Sequence, residues 1–110
     1  FPMNTHFRKG AIEMCILALI DHRDRYGYEL VQAIAVYMEI NEGTVYPILR
    51  RLTQEGYVST YLMESPHGPA RKYYQATPSG KKHLESLKAE WSALAHVVGS
   101  ILGGDENDQK

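Results

Sequence analysis

At 110 residues, with 44% apolar and 23% charged side chains, the chain is long enough for one small globular domain with one modest core. Its longest apolar stretch, Cys15 to Ile20, is far short of the ~20 residues that cross a bilayer, which argues against a membrane partner. A net charge of −1 argues against nucleic acid until its distribution is read: between Gly43 and Lys82, six basic residues face Glu55 and Glu64, a surplus of about +4, while Asp105, Glu106 and Asp108 make the tail acidic.

No signal-peptide pattern opens the chain, and Met3, behind Phe1-Pro2, is the expected natural start. A helix is predicted over residues 4–22, capped by Asn4 or Thr5. Phe7, Ala11, Ile12, Met14, Cys15, Leu17, Ala18, Leu19 and Ile20 make it apolar on several sides. Such a helix is buried on several sides, which in so small a protein points to packing on a second chain as well as on its own core. Cys15 is the sole cysteine and cannot form an internal disulfide, as expected in a reducing cytoplasm. It reads as a small core hydrophobe rather than a redox switch.

Asp21 to Gly27 is polar and ends in glycine, the composition of a turn. A second helix is expected over Tyr28 to Tyr37, with Leu30, Ile34 and either Tyr37 or Met38 inward, and Met38 to Asn41 as a short link. The third helix begins at Asn41, a favoured N-cap, with Glu42 in the first turn where the helix dipole favours an anion. Val45, Ile48, Leu49 and Leu52 follow the i, i+3, i+4, i+7 rule and form one buried face; Gly56 closes the helix as C′. The opposite face of "NEGTVYPILRRL" carries Thr44, Tyr46, Arg50 and Arg51. Pro47 clashes with the carbonyl four residues back, but that residue is Gly43 in the first turn, so the usual cost of about 3 kcal/mol is reduced. It either bends the helix onto its seat or stiffens the exposed face beside Tyr46.

Tyr57 to Glu64 and Arg71 to Thr77 are rich in β-branched and aromatic residues, with turn chemistry between them at Ser65 to Pro69, and read as a hairpin. Thr77-Pro78 marks the next helix start, with Thr77 as N-cap. That last helix, about Pro78 to Leu102, carries Leu84, Leu87, Trp91, Leu94, Val98 and Ile101 at alternating spacings of three and four, a heptad seam that favours a partner helix from a second copy. Gly103-Gly104 end it.

The order of elements implies a mainly α (α+β) winged helix-turn-helix: a three-helix core, a two-stranded β wing and a long C-terminal dimerisation helix. The expected divisions are the winged helix-turn-helix over 1–77, the dimerisation helix over 78–102 and a disordered polar tail over 103–110. In such folds the third helix lies in the DNA major groove, where Thr44, Tyr46, Arg50 and Arg51 would donate to phosphates and bases. Arg71 and Lys72 on the wing would reach flanking phosphates or the minor groove. Catalysis is not expected. The five histidines lack metal-ligand spacing, no glycine loop for phosphate is present, Cys15 has no evident base, and no cofactor or metal is implied. His96, five residues past Trp91, reads as a solvated or interface histidine. The rival reading is a winged-helix protein-interaction module without sequence-specific DNA binding.

"GYEL", "GTVYP", "RKYY" and "TPSG" occur in that order, and "GTVYPILRRLTQEGYV" with "GPARKYYQATPSGKKHL" resembles the PadR family of bacterial transcriptional regulators. The resemblance covers roughly Gly10 to Leu102. Its short last helix looks like that of the compact subfamily with a single C-terminal dimerisation helix. The resemblance implies a homodimeric repressor on a palindromic operator in double-stranded DNA, with Thr44, Tyr46 and Arg50 contacting DNA and Arg71 and Lys72 as wing contacts. It further implies that Trp91 stands where some members stack planar aromatic ligands; others answer phenolic acids, and some have no known effector. Trp91 also fits the seam as an ordinary dimer-core residue.

Overall fold

The structure, a computed structural model, describes residues 5–104. The expected cap at Asn4, the start at Met3, the side chain of Phe7 and the acidic tail from Asp105 lie outside what is described. In chain order the elements are α1 (Thr5–His22), β1 (Arg25–Tyr26), α2 (Gly27–Ala35), α3 (Glu42–Gln54), β2 (Val58–Ser65), β3 (Gly68–Ala76) and α4 (Pro78–Gly103).

α1 runs through the centre, with Ile12, Ile16, Leu17 and Ile20 all buried. α2 and α3 close over it with Leu30, Val31 and Ile34 from one and Val45, Ile48, Leu49 and Leu52 from the other, the last four being the face that the helical period predicts. α2 starts one residue early and ends two residues early: Glu29 Oε1 accepts from the Tyr26 amide at 3.3 Å, and the amides of Tyr37 and Met38 both fold back onto the Ile34 carbonyl. Met38 packs against the core and Tyr37 points out, which resolves that alternative.

At α3, Asn41 is extended and its carbonyl accepts from Thr44 and Val45, but its side chain makes no cap hydrogen bond. The far end is a Schellman closure: Gly56 (φ +81) donates to Thr53 and Tyr57 to Leu52. Pro47 interrupts nothing visible in the helix.

The sheet has three strands in the order β1-β3-β2, not the two of the expected wing. Arg25 and Tyr26, expected in a turn, pair with Tyr74 and Tyr73. A two-residue strand has no period to read; the exposed edge of β3 selects it. The hairpin itself pairs Val58 with Ala76, Tyr61 with Tyr73 and Met63 with Arg71, with an irregularity between Met63 and Ser65. Val58 and Tyr74 anchor the sheet in the core.

Thr77 caps α4, its Oγ1 accepting from the Gly80 amide at 3.0 Å and donating to the Gly56 carbonyl at 2.7 Å. Gly80 sits so close to the Tyr57 carbonyl that a Cβ would collide with it. Leu84 is 1% exposed and belongs to its own chain's core. Beyond it α4 leaves the body of the protein, which is why the molecule measures 64 × 33 × 20 Å and has a 16.9 Å radius of gyration against about 13 Å for a compact chain of this size.

Candidate nucleic-acid interface

Tyr46 and Arg50 are four residues apart on α3 and therefore share a face one turn apart. Tyr46 is half-buried because its ring lies against the start of α2: a Cβ on Gly27 would fall 2.5 Å from Tyr46 Cε1 and 2.7 Å from its Oη. Only glycine lets the two helices meet this closely. Burial, with a smaller contribution from Glu42, pushes the Tyr46 phenol above its ordinary pKa. Thr44 sits half-covered in the first turn, outside the cleft described next.

On the sheet, side chains alternate between faces, so Arg71 and Tyr73 point one way and Lys72 and Tyr74 the other. Arg71 lies over the ring of Tyr26, 4.5 Å from its centroid, and Tyr26 meets Tyr73 edge-on at 5.5 Å. Tyr73 stacks on Tyr61 at 5.7 Å, and Tyr61 donates to Asp24 Oδ2 at 2.6 Å. That hydrogen bond, with some burial and the Asp24 charge, pushes the Tyr61 phenol up to about 12. The tyrosine ladder therefore ties the wing to the segment before α2 and holds Arg71 in place.

Between α3 and the wing opens a cleft of about 500 Å³, lined by Tyr26, Tyr46, Arg50, Arg71, Lys72 and Tyr74 among others. Among the described residues no salt bridge engages Arg50, Arg71 or Lys72. Three cations without a salt-bridge partner, Arg71 among them resting on the Tyr26 ring, line a concave surface suited to an anionic backbone. Arg51 does not join them, contrary to expectation. One residue past Arg50 it points about 100° around the helix, toward α1, where it donates to Glu13 Oε1 at 2.6 Å. Tyr26, Tyr28 and Tyr74 line the cleft without having been legible as site residues, because β1 brings the first and the sheet register the last. Thr53 and Gln54 could have been found, lying three and four residues past Arg50.

The fold leaves only part of the apolar stripe expected on α4 uncovered. Leu84 is consumed by the core, and Leu87 is half-covered. Trp91 is 53% exposed, Ile101 is 73% exposed, and Leu94, Val97, Val98 and Leu102 extend the apolar surface. Leu87, Trp91 and Leu94 also border a hollow of about 260 Å³ with Gly10, Ala11 and Met14 of α1. Among the described residues no group of three His, Cys, Asp or Glu could hold a metal ion, and no helix is long and apolar enough to cross a membrane.

A sequence profile of the transcriptional regulator PadR-like family matches residues 16–86. The crystal structure of smu.1704 from Streptococcus mutans superposes with a TM-score of 0.82 at 41% identity, covering 94% of this chain and 93% of that one. The PadR-like transcriptional regulator of Bacillus cereus does so with a TM-score of 0.82 at 35% identity, over 91% and 99% of the two chains. The transcriptional regulator Rv3488 of Mycobacterium tuberculosis is 28% identical over 102 residues, 92% of each chain.

Proposed function

The chain belongs to the PadR-like family of transcriptional regulators, and from that premise we propose that it is a cytoplasmic, homodimeric repressor that binds a palindromic operator in double-stranded DNA and is released by a small aromatic effector. The observation that carries this reading is the cleft between α3 and the wing, lined by Arg50, Arg71 and Lys72, none of which is salt-bridged among the described residues.

α3 enters the major groove with Thr44, Tyr46 and Arg50 toward the DNA. Arg71 and Lys72 take phosphates on the flanking backbone, which runs into the cleft. Two chains pair through Leu87, Trp91, Leu94, Val98 and Ile101, the part of the expected seam that the fold leaves uncovered. Apolar surface of that extent on one projecting helix favours a partner. Pairing sets the two recognition helices about one DNA turn apart, ~34 Å, which is why a palindrome is the matching target. A planar aromatic or phenolic molecule stacked on Trp91, in the hollow beside α1, would release DNA by favouring a different angle of α4. It must bind the two angles with different affinity, or it shifts nothing.

The test is a salt series of fluorescence-anisotropy titrations with duplexes from upstream of the protein's own gene, beside sedimentation velocity. Dimers that bind duplex DNA with a steep salt dependence are expected. Salt-insensitive or absent duplex binding would favour the protein-interaction module instead, and single chains at binding concentrations would remove paired operator recognition. Quenching of Trp91, the sole tryptophan, by planar aromatic drugs or phenolic acids reads the effector site directly.

A further inference from the structure

One carboxylate joins three helices that the proposed function uses separately. Glu13 of α1 accepts from Arg51 of α3 at 2.6 Å through Oε1, and its Oε2 lies 3.4 Å from His83 Nε2 of α4. His83 in turn stacks on Tyr57, just past the end of α3, with ring centroids 4.0 Å apart and planes within 3°. The Glu13 side chain is 16% exposed, so this is a partly desolvated junction rather than a surface pair. Burial alone would raise the Glu13 pKa; the hydrogen bonds and charges of Arg51 and His83 outweigh it and hold the carboxyl below its ordinary range. Arg51 and His83 lie 38 and 70 residues from Glu13 in the chain.

We infer that Glu13 is a positioning residue: its carboxylate fixes the angle between the recognition helix α3 and the α4 arm, and thereby the separation of the two recognition helices in the dimer. This rests on the DNA-binding dimer proposed above. The leverage is large. From His83 to Ile101 the arm is roughly 27 Å long, and a tilt of about 10° at its root moves the far end by about 5 Å. That exceeds one base-pair rise of about 3.4 Å, so a loosened root is read by DNA as an altered half-site spacing. Arg51 accordingly acts through α3 and makes no phosphate contact.

The experiment uses the full chain carrying Glu13→Gln, Arg51→Met or both, titrated against duplexes whose half-sites are moved apart in single base-pair steps. Wild type should prefer one spacing sharply. Each single variant should lose about tenfold in affinity at that spacing, show a flattened spacing profile, and keep the wild-type salt slope. The double variant should be no worse than either single one, because one junction is broken in each case. A wild-type spacing profile in Glu13→Gln, additive losses in the double variant, or a flattened salt slope in Arg51→Met would each overturn the assignment. Should Glu13→Gln fail to fold, His83→Phe keeps the ring stack, removes only the contact to Glu13, and carries the same expectation.

Absence of any wild-type duplex binding would defeat the proposed function, and a second measurement then tests the junction without DNA. Spin labels at Gln54→Cys and Ala95→Cys, in a Cys15→Ser background and diluted with unlabelled chains, report the α3–α4 distance within one chain. Glu13→Gln should broaden that distribution; an unchanged narrow one would overturn the assignment.

Discussion

Arg50→Ala tests the cleft most directly. Arg50 is exposed and engages no carboxylate among the described residues, so its removal should cost less than about 0.5 kcal/mol of folding stability. On DNA the loss is doubled by symmetry. One phosphate contact per chain, at about 0.9 per contact in log–log slope, makes the dimer's salt dependence flatter by about 1.8. Between ~50 and ~200 mM salt the variant should therefore lose about twelvefold less affinity than wild type does. The deficit is greatest at low salt and narrows as salt rises. Anisotropy titrations at four or five salt concentrations measure this, with thermal unfolding confirming the fold. Its neighbour Arg51 is the internal control: already paired with Glu13, it should change affinity without changing slope. Equal slopes for wild type and Arg50→Ala would refute the placement of Arg50 on the backbone, and equal flattening in Arg51→Ala would refute the distinction between the two arginines.

Gly27→Ala forces a methyl into the Tyr46 ring at 2.5 Å. An overpacking strain of about 1–3 kcal/mol should turn the ring into the cleft, weaken operator binding and leave the dimer intact; unchanged binding in anisotropy would show the ring free to yield. Leu84→Ala removes a side chain that is 1% exposed and should cost about 2–5 kcal/mol in chemical denaturation, whereas Ile101→Asp should keep the fold and shift sedimentation to single chains. The opposite pattern would move the seam back onto Leu84. For pH, Glu13 has its folded pKa below the ordinary 4.5, so its stabilisation is complete above that value and disappears as pH falls through the folded one. Tyr61 is the reverse case: raised from 10.0 to about 12, it contributes fully below 10 and loses that contribution as pH climbs toward 12. Denaturation midpoints across both windows should therefore respond less in Glu13→Gln at the acid end and in Tyr61→Phe at the alkaline end; unaltered pH profiles would contradict the two hydrogen bonds.

The helices were legible because each signal is local. Val45, Ile48, Leu49 and Leu52 recur at the helical period, Thr77-Pro78 supplies a cap and a first-turn proline, and Gly56 takes a left-handed conformation that few other residues adopt. Tyr46 and Arg50 were legible as positions on the α3 face left over once the core is assigned, and Arg71 and Lys72 as the basic pair just after the hairpin turn; all four line the cleft. β1 was not, because two residues carry no periodicity and their pairing depends on which edge of β3 is free. Nor could spacing separate Leu84 from Leu87, Trp91 and Leu94: a heptad pattern marks a stripe along a helix but says nothing about where the body of the protein ends beneath it.

Local chemistry thus determined the elements, their order and the polar face of α3, since capping, periodicity and turn preference act within a few residues. Only the packed structure assigned the partners. Arg50 and Arg51 are adjacent and chemically identical, yet one faces an open cleft and the other a carboxylate 38 residues earlier in the chain. What separates them is about 100° of helical rotation against neighbours that exist only once α1 and the wing have come together.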